Sequence, residues 1–123
     1  MEIEVPNSEL LDKYSILLIK AEKVINSNEL SFVNNQIRIV KEKIPSNFLE
    51  LKSFKNLVEI NKEIWNLQDK LRLKVKHRYL NYFTIFSICW SLVMSNDERS
   101  RIKRKIDRET KSEFFESKNF ELE

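Results

Sequence analysis

The sequence predicts an all-α fold, and three observations carry that expectation. Glycine is absent from all 123 residues, where a chain of this length carries roughly 8 or 9 on average. Only two prolines, Pro6 and Pro45, stand in the way of long helices. Apolar residues recur at spacings of three and four through most of the chain, the period of a helix with one buried face. The expected architecture is one helical domain, a bundle of about five helices with an N-terminal helical hairpin. Without glycine, left-handed helix ends and tight turns fall to asparagine, with Asn7, Asn26, Asn28 and Asn47 as candidates. A glycine-rich phosphate loop and a dinucleotide fingerprint are excluded.

Each element follows from local pattern. Ser8 reads as the N-cap of the first helix, with Glu9 and Asp12 in a first turn whose dipole favours acids. Leu10, Leu11, Tyr14, Leu17, Leu18, Ala21, Val24 and Ile25 continue as one buried stripe, and the helix is expected to run to about Asn26. The second helix carries the narrow seam Leu30, Val33, Ile37, Val40 and Ile44 and stops before Pro45. The following "PSN" turn predicts an antiparallel hairpin with the third helix. That helix is expected from Ser46 or Asn47, with a break near Ser53, to about His77. Residues 81–96 hold no charge and predict a fourth helix, central in the bundle. Ser95 with Glu98 fits a capping box, with Asn96 or Asp97 as rival caps, so a fifth helix is expected to start there. The tail after Lys111, "SEFFESKNFELE", is expected to pack or swap as a strap over 112–123.

Composition limits the chemistry. Hydrophobic residues are 41% and charged residues 33%, which fits neither a disordered chain nor a membrane protein. The uncharged stretch is shorter than the ~20 residues of a bilayer span. The opening "MEIEVPNSELL" lacks an export pattern, so a cytoplasmic location is expected. Cys89 is the single cysteine and His77 the single histidine. No intrachain disulfide, CxxC zinc site or histidine-rich metal site can form. No metal or cofactor is expected, and Cys89 is expected as an inert core thiol. Net charge is +3, from 22 basic and 19 acidic residues. That surplus is weak support for a polyanion partner.

The informative residues are charges that lie beside apolar stripes. Glu9, Lys13, Ile16 and Lys20 share one face of the first helix. Asn61, Trp65, Asp69 and Arg72 align on the third. Arg99, Ile102, Lys103 and Ile106 share a side of the last, and Arg101, Arg104, Lys105 and Arg108 fall on the solvated side. One reading is interhelical salt bridges, such as Asp69 with Arg99 or Asp12 with Lys103. The other is an anion pocket built by Lys13, Arg72, Arg99 and Lys103, with Asp12, Asn61, Asp69, Asn96 and Asp97 as orienting or structural polar groups. No motif specifies a reaction, so catalysis is left open. A helix-turn-helix glycine turn and an aromatic stacking sheet are both absent, so nucleic acid is not an expected partner.

Three stretches, "IEVPNSELLDKYSILLIKAEKV", "LVEINKEIWNLQDKLR" and "SNDERSRIKRKIDRETKSEFFESKNF", resemble a small helical family of bacterial and phage proteins with no assigned function. Its members occur alone or with tetratricopeptide-repeat and glycosyltransferase proteins of surface-polysaccharide clusters. The resemblance implies an all-α fold. It also implies that Asp12, Lys13, Lys20, Asn61, Trp65, Asp69, Arg72, Asn96, Asp97, Arg99 and Lys103 occupy motif positions. It implies no activity. Asn7 and Gln68 depart from it, standing where a glycine-like turn residue and an acid are common. The expected function is therefore a helical interaction or scaffold domain, self-associating through the second helix or the uncharged fourth. A small anion- or sugar-phosphate-binding domain is the alternative.

Overall fold

The computed structural model describes residues 5–78 and 81–111. Every regular element among them is helical: α1 (Asn7–Lys23), α2 (Ser27–Glu42), a 3-10 turn (Ser46–Glu50), α3 (Lys52–Lys76) and α4 (Tyr82–Glu109). The all-α class and the bundle stand. Four α-helices form among the described residues rather than five, because the two expected last helices are one. A capping box acts only where the chain enters a helix from non-helical geometry. Neither proline nor glycine interrupts residues 82–109, so the chain is already helical when it reaches Ser95. Ser95 is instead buried on the same side of α4 as Ile88, Ile102 and Ile106. Asn96 turns its side-chain amide back to the Leu92 carbonyl at 3.0 Å. The expected strap at 112–123 lies outside the described residues.

The helix ends differ from expectation in an informative way. Asn26 caps α2, accepting from the Asn28 and Glu29 amides at 2.8 and 3.3 Å. Asn81 caps α4 in the same manner through Phe83 and Thr84. Left-handed geometry falls instead to Arg78 (φ 56°) and Lys111 (φ 52°), one residue past the C-caps of α3 and α4. In a chain without glycine, a β-carbon is forced into that region at a cost of roughly 1–2 kcal/mol each. α1 begins at Asn7 behind Pro6, whose extended backbone places it at the N-cap. Ser8 is therefore inside the first turn rather than the cap. The third helix breaks at Leu51, which is extended (φ −63°, ψ 136°) between the 3-10 turn and α3, and not at Ser53.

α3 and α4 form the longest packed pair, an antiparallel hairpin joined through residues 77–81. α1 lies across both, and α2 lies along α1 alone. The hairpin expected across "PSN" therefore does not form, since the 3-10 turn and Leu51 redirect the chain after Pro45. The core gathers at one end of the molecule from Leu11, Tyr14, Val40, Ile44, Phe54, Leu57, Ile102 and Ile106. Tyr14 stacks on Phe54 with ring centres 6.0 Å apart. The first half of α4 is not central. Among the described residues, the side-chain bonds between α4 and α1 fall on Arg99, Lys103, Asp107 and Thr110, all in the second half of α4, while Tyr82, Phe83, Phe86 and Trp90 in its first half are exposed. Cys89 is consequently exposed rather than a core thiol. Among the described residues no helix is long and apolar enough to cross a membrane.

Candidate functional site

A polar cluster joins α1, α3 and α4 beside the core. α1 supplies Glu9, Asp12 and Ser15, at the three-residue spacing that keeps side chains on neighbouring faces. α3 supplies Asn61, and α4 supplies Arg99 and Lys103 one turn apart. Asp12 is the hub, with only 5% of its surface exposed. Its Oδ1 accepts from Arg99 Nε at 3.1 Å and from Asn61 Nδ2 at 2.9 Å. Its Oδ2 accepts from Arg99 Nη2, which completes a two-pronged contact. Asn61 Nδ2 also donates to Ser15 Oγ at 2.7 Å, and Ser15 Oγ donates to the Asp12 carbonyl at 2.8 Å. Lys103 Nζ bonds Glu9 and stands 4.0 Å from Asp12 Oδ2.

Two carboxylates thus meet two cations, and the cluster is formally neutral. The Arg99 guanidinium is held above its ordinary pKa, first by its hydrogen bond to Asp12, against the opposing effect of burial, and with further help from the charges of Asp12 and Glu9. It is a fixed cation. A second junction lies one turn further along α4. Asp107 Oδ1 accepts from the Ser8 amide at 2.9 Å, and Oδ2 accepts from the Ser8 hydroxyl at 2.8 Å. Because Pro6 offers no capping side chain, a carboxylate 99 residues away satisfies an orphan amide at the start of α1.

The residues singled out from the sequence divide into two groups. Asp12, Asn61, Arg99 and Lys103 come together, with Asp12 and not Asp69 as the partner of Arg99. Asp69 sits on the surface of α3 with Arg72, at 3.2 Å and a spacing of three. Lys13 is exposed on the outer side of α1, where it lines a groove of about 390 Å³ with Glu9, Ile16 and Lys20. Arg99 and Asn96 line a different and smaller cavity of about 190 Å³ with Asn61, Trp65 and Gln68. Asp97 is exposed. The four basic residues proposed to grip one anion therefore face three separate surroundings. Ser15 and Asp107 were not anticipated, and Ser8 was expected only as a helix cap. The signal for Asp107 is spacing, since Arg99, Lys103 and Asp107 recur every four residues along one line of the helix.

The outer side of α4 carries a second feature. Tyr82, Phe83, Phe86, Trp90, Val93 and Met94 are all exposed, Phe83 at 87% and Trp90 at 60%. At 100° per residue they occupy one arc, opposite the arc of Ile88, Ser95, Ile102 and Ile106. Phe86 and Trp90 stack along the helix with ring centres 6.4 Å apart. Among the described residues, no group of three or more histidine, cysteine or acidic side chains is placed to hold a metal. Comparison with family models, with curated proteins and with solved structures found no match to this chain.

Proposed function

We propose that this chain is a helical interaction module that self-associates through the outer face of α4 between Tyr82 and Met94. The exposed aromatic stripe is the observation that carries this reading. Four aromatic side chains of about 150–250 Å² each, at 60–87% exposure, leave on the order of 600 Å² of apolar surface on one helix face. A monomer rarely keeps that much contiguous apolar surface in water, and a stable interface buries about 800 Å² per partner. In this reading the polar cluster is a strut. It fixes how α1 sits on the α3–α4 hairpin, and so presents the stripe on a rigid body.

The arrangement of the basic residues favours the strut over an anion site. Arg99 spends two donors on Asp12, and Lys103 is taken up by Glu9 and Asp12. The family resemblance, which brings no activity, is in keeping with an interaction role. Sedimentation velocity over a range of concentrations tests the reading. The wild-type chain is expected to dimerise, and Phe86→Glu with Trp90→Glu to be monomeric with unchanged helical content. A wild-type chain that stays monomeric at about 100 times a micromolar Kd rejects it.

A further inference from the structure

We infer that the acidic segment 112–123 of this chain docks back along the outer face of α4, where it competes with a second copy. The competition rests on the self-association proposed above, and the docking does not. The charge of that face supplies the first reason. At 100° per residue, Asp97, Arg101, Arg104 and Arg108 continue the arc of Phe86, Trp90 and Val93. All four are exposed. The arc is therefore apolar over its first half and basic over its second, with one acid between. Asp97, Arg104 and Arg108 make no ion pair among the described residues, and Arg101 has only a surface bridge to Glu98 at 3.5 Å.

The sequence after Lys111 carries the complementary set. "SEFFESKNFELE" holds four glutamates, three phenylalanines and a single lysine. It leaves α4 at the basic end, where Lys111 (φ 52°) follows the C-cap in the left-handed conformation. Attachment there gives the segment an effective concentration in the millimolar range. Exposed ion pairs, weak between separate molecules, then suffice.

Order along the chain gives the second reason. Alternate residues share one side of an extended chain, and on one side these are Phe114, Glu116, Lys118, Phe120 and Leu122. Counted from Lys111 at about 3.3 Å per residue, they come at about 10, 17, 23, 30 and 36 Å. Counted back from Lys111 along α4 at about 1.5 Å per residue, Arg104, Arg101 and Asp97 lie at about 11, 15 and 21 Å. Met94, Trp90 and Phe86 follow at about 26, 32 and 38 Å. Phe114 thus falls on Arg104 and Glu116 on Arg101, and the lone lysine falls on Asp97. Phe120 and Leu122 fall on the near part of the aromatic stripe, with Glu121 and Glu123 turned to water. Tyr82 and Phe83 stay uncovered, so the segment and a second copy contend for Trp90, Val93 and Met94.

A nitroxide on Cys89, the single cysteine and an exposed one, reads the contact by NMR on the whole chain. Amides from Asn119 to Leu122 are expected to broaden strongly, and those of Ser112 and Glu113 little. Glu116→Lys with Lys118→Glu inverts the charge order at constant net charge, and should abolish the broadening. Adding Arg101→Glu and Asp97→Lys should restore it. The inverted segment alone is expected to tighten self-association by about threefold to tenfold, because the stripe is no longer partly occupied.

Broadening that is absent from the wild type, or that survives the inversion, overturns the docking and leaves self-association intact. Broadening of an unmodified chain by a nitroxide-bearing chain mixed with it overturns docking within one chain, and places the contact between copies. A chain that never self-associates yet shows the broadening overturns the competition and the earlier reading, and upholds the docking. Absent broadening together with sedimentation on phosphatidylserine vesicles overturns the docking and assigns the arc to an anionic lipid surface.

Discussion

At the scale of single residues, Asp12 shows how a charge is kept inside a helical bundle. Its carboxylate has three donors within 3.1 Å or closer, from Arg99 twice and from Asn61 once, and so gives up little of what water would supply. Removing Arg99 leaves that carboxylate buried with Asn61 and a lysine 4.0 Å away. Breaking a buried ion pair from one side costs about 3–5 kcal/mol. The Arg99 side chain is 29% exposed, so water can partly replace it, and Arg99→Ala is expected to cost about 2–3 kcal/mol. Arg99→Lys should recover only part, because an ammonium cannot fork onto both oxygens. Urea unfolding with an unchanged slope measures both. A loss under about 0.5 kcal/mol for Arg99→Ala would mean that the cluster holds nothing in register. The raised pKa of Arg99 has a definite consequence for pH. Its stabilising effect is complete below the ordinary arginine value and fades only as pH climbs through the still higher folded value. Arg99 therefore adds no pH dependence in the neutral range.

At the scale of elements, α1 and α4 are tied at both ends of their shared length. Ser8–Asp107 holds one end, and Asp12–Arg99 lies two turns of α4 away. Asp107 is buried and acts as the cap that α1 lacks in its own sequence. Asp107→Ala is expected to cost about 2–3 kcal/mol, the worth of two hydrogen bonds to a charged acceptor near a helix N-terminus. Amide exchange at Ser8 should accelerate alongside the loss of stability. Unchanged exchange there would mean that another group satisfies the amide. Sequence reveals these elements unevenly, for physical reasons. The seams of α1, α2 and α3 were legible because helical periodicity is a local property. The Ser95–Glu98 box misled because a cap depends on whether the preceding residues are already helical, which tertiary packing against α3 decides. Of the polar cluster, the four central residues could be named as inward-facing. Their pairing could not, since Asp69 and Asp12 have equal claims on Arg99 until the crossing of α1 is known. The first half of α4 was misread for a related reason. An apolar run shows that a helix wants partners on several sides, and not whether one chain provides them.

At the scale of the whole molecule, stability is divided unequally along the α3–α4 hairpin. The core residues, from Leu11 to Ile106, lie toward one end, where four helical segments meet. The other end is a two-helix arm that closes through Arg78 in a left-handed conformation and exposes Tyr82, Phe83 and Phe86. A pair of helices with one shared face opens more readily than a bundle core, so opening free energies should fall from Ile106 toward Tyr82. Self-association changes that gradient, because whatever binds only the closed arm stabilises it by mass action. Hydrogen exchange on the wild-type chain and on the monomeric Phe86→Glu, Trp90→Glu variant is the decisive comparison. Amides at 85–94 are expected to exchange at least tenfold more slowly in the wild type at concentrations well above the dimer Kd. Those around Ile102 and Ile106 should differ far less, since their protection reports the bundle core. Dilution of the wild type should then raise exchange in the arm alone and leave the core where it was. Equal protection of arm and core at every concentration would show that the hairpin is held along its full length by the single chain, and that the stripe is not where a second copy binds.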